Sequence, residues 1–173
     1  MTETAKGSLL ADIKAASAVI RQAIADADGP LPPHFLVEFL LSQWRRVLAL
    51  THHRVGPDDP AWRGAVDTTN RLLMSVLPVT SVEQRTALSK SLPQLIRDIK
   101  QGAQLGNIDP VAMDLFLKQL GELHLAKLDP RRPLDKPYAT DLSDTIAMDV
   151  RDPRYRALLD RLDGADGVEH IEV

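Results

Sequence analysis

The chain has 173 residues, 44% of them hydrophobic and 26% charged, enough for one core and unlike a disordered or collagen-like chain. With no cysteine it has no disulfide, no thiolate metal site and no cysteine nucleophile, and two Trp, two Tyr and three Phe leave little surface for stacking a base. Residues 1–130 carry 14 basic and 14 acidic side chains and residues 131–173 carry 7 and 10, a net charge of -3, so nothing on the scale of the whole chain supplies the net basic face that neutralises phosphates, and no nucleic acid is expected as a partner.

The N-terminus, Met1-Thr2-Glu3-Thr4-Ala5-Lys6, is polar and predicts no signal peptide. No run reaches the roughly 18 apolar residues of a membrane span, so a cytoplasmic location is expected. Leu9, Leu10, Ile13, Ala16, Val19, Ile20, Ala23 and Ile24 keep helical spacing until Gly29-Pro30. A second helix is predicted from about Pro33 to His53. Leu36, Phe39, Leu40, Trp44, Val47, Leu48 and Leu50 lie on one side of it, and Glu38, Ser42, Arg45, Arg46, His52 and His53 on the other. Its wide apolar arc predicts a central position in the core.

Asp59-Pro60 is the start signal of a third helix, with a side-chain cap followed by a proline whose missing N–H costs nothing there. Pro78 ends it. Ser81 with Gln84 resembles a capping box and opens the fourth. Pro93 interrupts that pattern while Leu88, Leu92, Leu95, Ile96, Ile99 and Ala103 stay in phase, which predicts two short helices stacked as one rod. Gly106-Asn107 is the expected C-terminal cap. Asp109-Pro110 opens the next helix, with Val111, Leu115, Phe116, Leu120 and Leu123 as its core face.

Asp129 to Lys136 is a proline-rich loop. Asp152-Pro153 opens a short helix to Leu162, and residues 168–173 alternate apolar and polar like a strand. The expected architecture is therefore all-α, a bundle of six or seven helices with a C-terminal extension ending in a strand-like tail. The bundle spans residues 1–128, a linker 129–142, and an acidic helix with its tail 143–173. A lone strand needs a partner, either on another chain or in a continuation of this one.

Several stretches carry a family resemblance. They are Leu31-Pro32-Pro33-His34-Phe35-Leu36-Val37-Glu38-Phe39-Leu40, then Trp44, Pro60-Ala61-Trp62, Leu72-Leu73-Met74-Ser75-Val76, Leu92-Pro93-Gln94-Leu95-Ile96, and Phe116-Leu117 with Leu120 and His124. Together they resemble a segment of a bacterial family of unknown function, domain 1631, over residues 31–127. The resemblance implies a bacterial cytoplasmic protein with a regulatory role, either part of a longer chain or a short relative. It supplies no catalytic residues.

The residues themselves point the same way. Metal binding is not expected, because adjacent His52 and His53 point about 100° apart on a helix and no pair of histidines stands four apart. Glu122 and His124, two apart, do not face each other, so acid–base catalysis is not expected either. No catalytic residue and no cofactor is assigned. Val37, Leu41 and Leu117 fall off the apolar stripes and are candidates for an exposed interaction surface. The leading expectation is a non-catalytic protein-interaction or regulatory module, with a protein partner or a second copy. Tyr138, Tyr155, Val168 and Ile171 in the acidic last third are its candidate contacts. The alternative is an effector domain for a phosphorylated small molecule or cyclic dinucleotide. Arg45, Arg46, Arg54 and Arg63 would then hold the anion.

Overall fold

The computed structural model describes residues 2–27, 31–136 and 153–164. Its α-helices are α1 (Thr2–Asp26), α2 (His34–Phe39), α3 (Arg45–Val55), α4 (Pro60–Met74), α5 (Val82–Leu105), α6 (Pro110–Leu128) and α7 (Pro153–Asp163). A π turn, Leu40–Trp44, joins α2 to α3 in one rod. The described residues thus form an all-α bundle of six rods and contain no strand. The strand-like tail, with Val168 and Ile171, lies outside them, as does Tyr138. Tyr155 falls within α7, but its side chain also lies outside what is described.

Local chemistry sets most helix starts. The Asp59 carboxylate accepts from the Ala61 amide at 2.8 Å, and that of Asp109 from the Ala112 amide at 3.2 Å, each ahead of a proline. The Ser81 hydroxyl accepts from the Gln84 amide, while the Gln84 side-chain Oε1 accepts from the Thr80 amide. At the other end of α5, Asn107 takes φ 51°. The Ile108 amide reaches the Ala103 carbonyl and the Asn107 amide that of Gln104, the double closure of a Schellman motif. The left-handed residue is therefore Asn107, one position beyond Gly106.

α5 is one helix, not the two stacked helices expected across Pro93. Pro93 and Ser89 are both exposed, so the Ser89 carbonyl that loses its amide partner opens to water and the helix continues.

The π turn has the larger consequence. It inserts one residue into the rod and rotates everything after it by about 100° relative to an unbroken helix. Arg45, the first residue after the turn and expected on the polar side, is fully buried, and Leu41, expected off the stripe, is buried within the turn itself. The Ser42 hydroxyl donates to the Glu38 carbonyl within this turn. Val37 and Leu117 are only partly buried, packed against the core.

α3 is central, as expected. α1 and α4 pack against it, and α5 lies over α3, α4 and α6. The core joins Ala16 and Ile20 of α1, Leu36, Leu40, Trp44 and Leu48 of the central rod, Leu72 and Leu73 of α4, Leu95 and Ile99 of α5, and Phe116 and Leu120 of α6. The Phe39 and Phe116 rings stack 3.6 Å apart. α7, expected in an extension of its own, adds Leu158 and Leu162 to the same core. The loop after α6 is tied down as well. Val79 and Asp135 exchange hydrogen bonds at 2.8 Å, and Arg85 donates to the carbonyls of Lys127 and Arg132.

α6 differs from its expected orientation. It buries Met113, Phe116, Leu120 and His124, whereas Val111 and Leu115, expected in the core face, are exposed. Apolar residues occur on both sides of this helix, so periodicity alone does not say which side faces in.

Candidate functional site

The structure does not gather the four candidate arginines. Arg45 is fully buried; its Nη1 donates to the carbonyls of Arg161 and Gly164, each at 2.9 Å, and lies 3.4 Å from the Ser17 hydroxyl. It caps the C-terminal end of α7, where the carbonyls carry partial negative charge. Arg54 donates to the Leu105 carbonyl and Arg63 to the Asp58 carbonyl, each at 3.2 Å. Arg46 is half-buried, with its Nε enclosed and without a hydrogen-bond partner. Clefts of about 230 to 470 Å³ indent the described surface, and the four lined by Trp44 and Gly102, by Met74 and Leu88, by His34 and Arg161, and by Lys100 and Asp114 include none of the four candidate arginines.

α7 is held by side chains that sequence reasoning did not connect. Arg161 makes a two-pronged ion pair with Glu38, and Arg21 pairs with Asp163. The guanidinium of Arg161 holds the Glu38 carboxyl below the ordinary carboxylate range, against the opposing effect of burial. No sequence signal links positions so far apart.

His52 and His53 converge on one carboxylate. Both Nδ1 atoms face the buried Asp12 carboxylate, at 2.6 and 2.8 Å. The His52 ring also meets Trp62 edge-on at 4.8 Å. One acid of α1 thus clamps two histidines of α3. The available signal was Asp12 itself, an acid next to Ile13 on the core side of α1. Among the described residues no group of three or more His, Asp or Glu side chains is placed to hold a metal ion, and no helix is long and apolar enough to cross a membrane.

His124 sits in the core, its Nε2 3.0 Å from the Ser75 oxygen. The Ser75 hydroxyl spends its hydrogen on the Leu72 carbonyl, so Nε2 is the donor to Ser75 and the ring is neutral in that tautomer. Burial, with Lys127 nearby, pushes this imidazole down to about 4. An unfolded histidine titrates near 6.5. The folded pKa is the lower one, so the contribution is complete above about pH 6.5 and is lost as pH falls towards 4. Urea unfolding is expected to show a loss on the order of 2 kcal/mol between pH 7 and pH 5 that His124→Gln removes. An equal slope in the variant would contradict it.

What the described surface does offer is apolar. Val111, Leu115 and Leu125 are 75%, 57% and 70% exposed on the outer side of α6. A lone exposed leucine is ordinary, but a helix with apolar residues on both sides is suited to contacts on both. Lys118 and Glu122 lie between them, also exposed.

A family model matches residues 10–121, well over half of the chain; its description is protein of unknown function (DUF1631), third domain. No curated protein and no solved structure matches.

Proposed function

Since the chain belongs to the DUF1631 family, matching its third domain, we propose that it serves as a non-catalytic docking module in a bacterial cytoplasmic regulatory protein. The observation that carries this reading is the outer face of α6, where Val111, Leu115 and Leu125 stay exposed although the opposite face is fully engaged in the core. Exposed apolar side chains on one ridge mark surfaces that bind. A helix ridge of this kind takes the apolar face of a partner helix. The rest of the molecule supports a scaffold role. Several of its buried polar groups, Asp12, Arg45, Thr69 and His124, are bound to other elements of the chain and hold the bundle together.

A photo-crosslinking residue placed at Leu115 or Leu125 tests this in cells. Products are expected from both positions, and not from Lys90 or Arg97 on the exposed side of α5. No difference between the two helices would overturn the reading.

A further inference from the structure

Resting on that docking reading, we propose that the partner of the α6 outer face is the same face of a second copy of this chain, with the two helices antiparallel. The face has a seven-residue period. Val111, Lys118 and Leu125 form its centre line, with Leu115 and Glu122 along one edge and Asp114 and Gly121 along the other. Val111, Leu115 and Leu125 are exposed, as are Asp114, Lys118 and Glu122. A Cβ added at Gly121 would meet nothing within 4 Å, so the backbone is open near the middle of the ridge, where a second helix can approach closely.

A two-fold interface must be self-complementary, residue i meeting j while j meets i. A two-fold axis crossing the outer face at the level of position 120 does this on α6. It sets Lys118 against Glu122 of the second copy, and Glu122 against its Lys118. It also sets Leu115 against Leu125 twice. A parallel pairing places Lys118 on Lys118 and Glu122 on Glu122, which repel. The arrangement of charge therefore favours a copy of the same face, and the antiparallel direction. α6 has 19 residues and is about 28 Å long. One helix per copy buries less than a standard interface, so the dimer is weak, with a Kd on the order of tens of micromolar.

Sedimentation of the full chain over about two decades of concentration around that value tests the pairing. The expected result is a monomer–dimer equilibrium. Lys118→Glu and Glu122→Lys should each weaken it about tenfold, since each variant meets itself with two like-charge contacts. Mixing the two variants should restore a heterodimer, because each then meets the opposite sign. Circular dichroism checks that both variants stay folded. A monomer at all concentrations overturns the proposal, as does a dimer indifferent to both substitutions or a mixture that fails to recover. Crosslinking from Leu115 separates this from the docking reading. A product of doubled mass supports self-pairing. Products with other proteins alone leave the docking face standing and overturn self-pairing. No product overturns both.

Discussion

Replacing Arg45 by alanine is expected to cost about 3 kcal/mol and to release α7 from the bundle. The guanidinium is fully buried and holds the carbonyls of Arg161 and Gly164 at 2.9 Å. Alanine leaves these part-buried carbonyls at the end of α7 without their donor and opens a cavity the length of an arginine. Arg45→Met, which restores bulk but no donor, should recover only part of the loss. Limited proteolysis reads the release directly, as faster cleavage around residues 153–164. Unchanged protection there would contradict the role assigned to Arg45. The ion pairs Arg161–Glu38 and Arg21–Asp163 are part-exposed and should matter far less.

The second large effect is expected at Gly102. A Cβ there would stand 2.5 Å from Trp44 Cη2 and 2.8 Å from its Cζ3. Trp44 cannot yield easily. It is buried, and its indole Nε1 donates to the Thr69 hydroxyl at 2.8 Å, which donates in turn to the Ala65 carbonyl. Alanine gains up to about 1 kcal/mol of helix propensity over glycine. Overpacking a rigid core costs about 1–3 kcal/mol, and here it should dominate. Gly102→Ala is therefore destabilising by about 2 kcal/mol, and Gly102→Val by more. Gly64 in α4 is the control. A Cβ there meets nothing within 4 Å, so Gly64→Ala should stabilise by up to about 1 kcal/mol. Opposite signs in urea unfolding support the account; two losses or two gains contradict it.

These two residues also mark where the sequence was legible and where it was not. Helix starts were legible because their chemistry is local. Asp59-Pro60, Asp109-Pro110 and Ser81 with Gln84 each satisfy amides within three residues of themselves. The all-α class and the core positions of Trp44 and Phe116 followed from periodicity. Arg45 was misplaced because periodicity assumes 3.6 residues per turn, and the Leu40–Trp44 π turn breaks that assumption. Pro93 misled because its effect depends on whether the displaced carbonyl meets water or protein. Gly102 gave only a weak signal, its spacing of four from Gly106; its importance lies in the distance to Trp44, a long-range fact. The inner face of α6 was ambiguous because both of its sides are apolar. That ambiguity fits the proposed docking role, since a helix with one core face and one binding face carries apolar residues on both.

The proposed docking face makes one demand that a core face does not: its residues must matter for association and not for folding. The double variant Leu115→Glu with Leu125→Glu tests this by urea unfolding and sedimentation on the same preparation. The expected result is unfolding free energy within about 0.5 kcal/mol of the parent chain, together with loss of association through α6. A drop of about 2 kcal/mol or more would show that these leucines belong to the core, and association that survives both glutamates would show that α6 is not where the molecule binds.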